Sequence, residues 1–157
     1  PDQNVIVRRL AQLERVVVAS PAYWHAHGVP QHPRELAAHR ILNANHGGEP
    51  TRWQLNERGK TLELALQPYV DVNDVAPLPA LAAMDLGVIY VARPLVPRRV
   101  DARGLGGALE PFIPQDLWIY AVYTQRRHNS AALTALLAFM ESEMARPGSV
   151  FSATTTH

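Results

Sequence analysis

Two groups of amide, carboxylate and imidazole side chains stand where short apolar runs stop. Asn43, Asn45 and His46 follow Arg40-Ile-Leu, and Asn73-Asp74 follows Tyr69-Val-Asp-Val. In open α/β sheets, ligands settle beyond the carboxyl ends of the strands, where backbone amides and helix starts converge. Amide side chains both donate and accept there, so the chemistry on offer is reversible binding of a small polar molecule. The same residue types also cap turns and helices, and that reading stands beside the first. Pro77 and Pro79 each remove a backbone donor behind Asn73-Asp74. They move the helix start towards Pro79 and weaken any carboxylate-binding role for the amides of Val75 and Ala76.

Covalent and metal chemistry find less support. Ser20 sits between an apolar strand and a helix, as a nucleophile would, but the next residue is Pro21. An oxyanion hole of the usual elbow uses the N–H of that residue, and proline has none. Ser20 is better read as a strand-end cap or as a polar group lining a crossing strand. Five histidines fall between His25 and His46, yet His25 and His27 point to different faces of a helix. His32, His39 and His46 come from separate segments, and without cysteine no ligand set has metal spacing. The glycine cluster Gly104-Leu-Gly-Gly107 lacks the strand-to-helix setting of a phosphate cradle, so a surface turn is expected. No catalytic residue, metal or cofactor is expected, and the chain is not expected to be an enzyme.

The elements that must hold these residues alternate between strand and helix. β-branched runs mark strands at residues 5–7 and 15–19, separate or as one strand bent at a crossing. A helix follows Pro21, a short helix covers residues 33–39, and a strand covers 40–45. Residues 53–56 and 61–66 form a hairpin whose Leu62, Leu64 and Leu66 face inward. A strand at 69–72, a helix at 78–86 with Gly87 at its C-terminus, and a buried strand at 88–92 follow. Further strands are expected at 109–113 and 117–123, the latter central. A closing helix starts after Ser130 and carries Leu133, Leu136, Leu137, Met140 and Met144 on one face. This alternation predicts an α/β sandwich with a mostly parallel sheet.

At 157 residues and a formal charge of +1, the chain can bury a core, and its charges are spread. The arginine pairs Arg8-Arg9, Arg98-Arg99 and Arg126-Arg127 are separated, so no converging surface for DNA phosphates is expected. No apolar run approaches the ~20 residues of a membrane span. The start, Pro1-Asp-Gln-Asn, lacks a signal-peptide pattern, and the absence of cysteine suits a reducing cytoplasm.

Several segments together carry a family resemblance. Val16-Val-Val-Ala-Ser-Pro-Ala-Tyr-Trp24 and Gly28-Val-Pro-Gln-His-Pro-Arg-Glu-Leu-Ala-Ala-His39 are followed in order by Trp53, Val72-Asn-Asp74, Leu86-Gly-Val-Ile-Tyr90 and Ile119-Tyr-Ala-Val-Tyr123. Over residues 5–145 this resembles the effector-binding domain of LysR-type transcriptional regulators. The resemblance implies a periplasmic-binding-protein-like (type 2) sandwich, with one complete lobe and part of a second. Residues 1–12 would belong to the first lobe and the crossing strand, and 13–111 to the second lobe. Residues 112–146 would return to the first lobe, and 147–157 would form a tail. It also implies a small polar or anionic effector, held by Ser20, Asn43, Asn45, His46, Trp53, Asn73 and Asp74. The partners implied are that effector, further copies of the chain, and DNA only through an N-terminal winged helix-turn-helix outside this sequence. The alternative is a stand-alone two-lobed solute-binding protein.

Overall fold

The computed structural model describes residues 5–45, 48–96, 104–124, 130–146 and 149. The chain divides into two units, Arg15–Pro114 and Pro1–Glu14 with Gln115–His157. His46, Arg98-Arg99 and Arg126-Arg127 lie outside the described residues.

In the smaller unit, β1 (Val5–Leu13) is one strand and not a three-residue run. It pairs antiparallel with β9 (Leu117–Thr124), and α3 (Ala131–Ala145) packs against β1. Ser130 caps α3 by accepting from the amide of Leu133. The Arg8 guanidinium and the Glu141 carboxylate form a two-pronged pair at 2.7 and 2.9 Å, fixing the helix over the strand. β9 was expected to be a central strand, but among the described residues β1 is its one partner.

The larger unit is built on β2 (Arg15–Ala19), whose Val16 to Ala19 are all buried. Alternate residues feed two separate cores, because successive side chains point to opposite faces. Val17 and Ala19 join Tyr23, Trp24, Leu36, Ile41 and Val88, while Val16 and Val18 join Leu42, Leu78, Ile89 and Val91. After β2 come α1 (Pro21–His27), a 3-10 turn (Pro33–Ala38) and β3 (Ile41–Ala44). Then come the hairpin β4 (Arg52–Glu57) and β5 (Lys60–Ala65), β6 (Pro68–Val72), α2 (Leu78–Ala83), β7 (Ile89–Ala92) and β8 (Gly106–Ala108).

The sheet is mixed, which corrects the expectation of a mostly parallel one. β3 and β6 run parallel, and a parallel bridge links Ile41 to Val88 at the start of β7. However, β2 runs antiparallel to both β7 and β8. An apolar run buried on both faces looks the same whichever way its neighbours point, so the sequence pattern carried no direction.

Two local expectations also change. The second half of the glycine cluster, Gly106-Gly107, is strand rather than surface turn: Gly106 lies flat against Trp24, whose indole donates to its carbonyl at 2.9 Å. A β-carbon on Gly106 would fall 3.1 Å from the indole ring, so a bare backbone is what fits. Residues 109–113 are not a strand. Leu109 has φ 63° and a 3-10 turn covers Glu110–Phe112, where Pro111 denies the ladder a donor. Similarly, α2 ends early because Asp85, at φ 62°, takes the left-handed position expected of Gly87. Gly87 is needed instead for close approach, since a β-carbon there would overlap the carbonyl of Arg40.

Candidate functional site

One face of the larger unit's sheet changes character along the strands. At its amino-terminal end, β3 and β7 present Ile41 and Val88 to the Trp24 core. Two residues further on come Asn43, Tyr90 and, across from Asn43 on β6, Asp71. Beyond these lie Asn45 and Asn73, following Ala44 and Val72, which are register partners. The amide of Asn45 donates to the carbonyl of Val72 at 2.7 Å, which holds the two strand ends side by side. Arg15 opens β2 opposite Ala92 at the same end, and its guanidinium lies 5.1 Å over the Tyr90 ring. Period-two alternation therefore gathers amides, a carboxylate and a cation at the carboxyl edge of β3, β6 and β7.

Asn43 is the hub of this edge. Its amide nitrogen donates to the Thr51 hydroxyl at 3.1 Å and to the Asp71 carboxylate at 3.0 Å, and its oxygen accepts from the Trp53 indole at 3.3 Å. Thr51 and Trp53 are buried. Trp53 packs against Tyr90 with ring centroids 5.4 Å apart, and the Tyr90 hydroxyl donates to the carbonyl of Gln54 at 3.0 Å. The network thus ties β2, β3, β4, β6 and β7 together. Asn45 donates to the carbonyl of Glu49, four residues further on. Asp74 accepts from the amide of Ala76 at 3.0 Å, a local cap ahead of α2.

Of the seven residues singled out from sequence, Asn43 and Trp53 are bonded to each other, and Asn45, Asn73 and Asp74 share the edge. His46 lies outside the described residues. Ser20 is at the other end of the sheet, because β2 runs against β7. There its hydroxyl accepts from the amide of Tyr23 at 2.9 Å and donates to Asp85 at 2.5 Å. Ser20→Ala should therefore lower stability by about 1–2 kcal/mol, through the lost cap and the lost bond to Asp85. A melt of the variant checks this. A stability within ~0.5 kcal/mol of the parent, the range of an ordinary surface substitution, would remove the cap assignment. Arg15 and Tyr90 were missed as site residues, since nothing along the chain shows that strand start facing the ends of β3 and β6.

His32 accepts from the amide of Arg34 through Nδ1 at 3.2 Å and meets Glu57 through Nε2 at 2.7 Å. That hydrogen bond holds the Glu57 carboxyl below its ordinary value. Among the described residues, no group of His, Asp and Glu is arranged to hold a metal ion, and no helix is long and apolar enough to cross a membrane.

Comparison with known proteins adds the family context. A family model described as the LysR substrate binding domain matches residues 1–145. An HTH-type transcriptional regulator from Xanthomonas campestris pv. campestris is 29% identical over 152 residues, covering 92% of this chain and 43% of that protein. In fold, the regulatory domain of CrgA, a LysR-type regulator from Neisseria meningitidis, matches with a TM-score of 0.71 at 24% identity, over 88% of this chain and 69% of that one. The full-length virulence activator AphB from Vibrio cholerae gives 0.73 at 21% identity, over 89% and 48%. The chain thus spans under half the length of the Xanthomonas regulator and of full-length AphB.

Proposed function

The chain belongs to the LysR substrate-binding domain family, and from that premise we propose that it senses a small polar or anionic effector at the carboxyl edge of β3, β6 and β7. One observation carries this reading: Asn45 and Asn73 end adjacent parallel strands on the sheet face that also bears Arg15. Asn43, Asp71 and Trp53 form the supporting layer beneath, and Asn73 and Asp74 present exposed polar groups at the rim. A guanidinium on β2 with the amides of Asn45 and Asn73 on the neighbouring β3 and β6 ends suits a carboxylate, because the fork pairs with two oxygens while the amides bond to the rest. The lobes in this reading are the two units, and bound effector biases their arrangement by its differential affinity for two states. A helix-turn-helix domain outside this sequence would transmit that state to DNA, in the cytoplasm and through assembly with further copies. No turnover is part of this reading. The relatives described above are regulators, which favours it over a stand-alone solute-binding protein.

The test is a thermal-shift screen of the chain against small mono- and dicarboxylates. A binder at about a hundred times its dissociation constant should stabilise the fold by about 2.7 kcal/mol. Arg15→Gln and Asn45→Ala should each remove that shift while leaving the unliganded melting point within a degree or two. A shift that survives both substitutions would overturn the site, and a panel without any binder would overturn the anionic class.

A further inference from the structure

Away from the carboxyl edge, three titratable side chains cluster where α1 meets the chain leading into β3. His27 lies flat on the Tyr23 ring, with centroids 4.2 Å apart and planes 12° from parallel. The buried Tyr23 hydroxyl accepts from the amide of Arg40 at 2.9 Å and lies 3.3 Å from Nδ1 of His39. The Trp24 ring meets His39 edge-on at 5.6 Å. Arg40 already supplies a hydrogen to the phenol oxygen, so a bare Nδ1 on His39 is the arrangement that gives the buried phenol's own hydrogen an acceptor. The neutral tautomer of His39 therefore carries its proton on Nε2.

His27 is the opposite case. Its Nδ1 is 3.1 Å from the carbonyl of Tyr23, which can only accept, so that nitrogen bears a hydrogen. A proton added to His27 goes to the other nitrogen and leaves this bond intact. A proton added to His39 goes to Nδ1 and sets two donors against each other across the phenol bond. We propose that the His27–Tyr23–His39 cluster is an acid-sensitive latch, tying α1 to the entry of β3 while His39 is neutral and releasing it when His39 takes up a proton from solvent.

The charged neighbours are few. From α1, His27 opposes a charge on His39, and His25 is exposed on the same helix. From its own 3-10 turn, Glu35 favours that charge, although one of its oxygens accepts from the amide of Gln31 at 3.0 Å. The Arg40 guanidinium lies over the Tyr69 ring, 5.1 Å away. Burial first, and then His27, hold His39 below its ordinary 6.5, with Glu35 pulling the other way. The unfolded chain then binds the His39 proton more readily than the folded one. The latch is complete above 6.5 and is lost as pH falls from there through the folded midpoint.

This latch is independent of any effector, so it can be tested on the 157-residue chain alone. An NMR titration from neutral to mildly acidic pH should follow the His39 ring protons and the Arg40 amide nitrogen together. The expected result is one shared midpoint below 6.5. Tyr23→Phe, which keeps the ring and removes the hydroxyl, should abolish the Arg40 response while His39 still titrates. His27→Gln should move the His39 midpoint upward. An Arg40 amide that ignores His39, or one that still responds in Tyr23→Phe, would overturn the latch. So would a His39 midpoint at or above 6.5 in the parent chain.

Discussion

Truncating Trp53 to alanine should lower the stability of the Arg15–Pro114 unit by about 3–5 kcal/mol, the cost of emptying a large aromatic site in a packed core. Trp53 is 5% exposed and shares its core with Leu55, Leu64 and Leu66 from the same hairpin. Its loss would remove the packing on Tyr90 and strand the oxygen of Asn43, which the indole N–H satisfies. Urea unfolding is the measurement, with a lower midpoint and an unchanged slope expected. Trp53→Phe separates the two contributions: it keeps most of the apolar contact and removes the donor, so about 1–3 kcal/mol should be lost. If the alanine variant lost under ~1 kcal/mol, Trp53 would not anchor the edge, and the support given to Asn43 would have to come from elsewhere.

The contrast between Trp53 and Asn43 shows what the sequence could reveal. Asn43 and Asn45 follow the apolar pair Ile41-Leu42, so their place at a strand end was legible, and alternation with Leu42 and Ala44 sets both on one face. Their different roles were not legible. Asn43 is enclosed by Thr51, Trp53 and Asp71 from β4 and β6, contacts set by how distant strands dock. Arg15 was invisible as a site residue for a related reason. Its position depends on β2 running against β7, and alternating polarity is blind to strand direction. Ser20 illustrates the opposite case. The local pattern of strand, serine and proline offered a cap or a polar group lining a crossing strand, and the hydroxyl caps α1, whereas its second partner, Asp85, is 65 residues away. The hairpin was readable throughout, because Leu62, Leu64 and Leu66 need only their immediate neighbours to declare a buried face.

The second large effect concerns the smaller unit, where the same alternation leaves apolar side chains uncovered. In β1, Val5, Val7 and Arg9 share a face, and their register partners on β9 are Thr124, Val122 and Tyr120. The other face bears Arg8, whose side chain pairs with Glu141 on α3. On the first face Val5 is 54% exposed, Val7 60%, Tyr120 44% and Val122 64%, and on α3 Leu136 and Phe139 are exposed as well. A two-stranded ribbon with an open apolar face is marginal by itself, and unpaired strand edges recruit further strands. Covering what is still exposed of each such side chain contributes about 1–2 kcal/mol, and summed over the Val7–Val122 pair and its neighbours on both copies this outweighs the ordering cost of joining two chains. A second copy offers the same surface in return, as a two-fold interface requires. The isolated chain should therefore be at least dimeric at micromolar concentration, as read by size-exclusion chromatography with light scattering. Placing lysine at both Val7 and Val122 should turn it monomeric, with the circular dichroism of the Arg15–Pro114 unit unchanged. A parent chain that runs as a compact monomer would show that this face needs no second copy, and association would then have to use another surface.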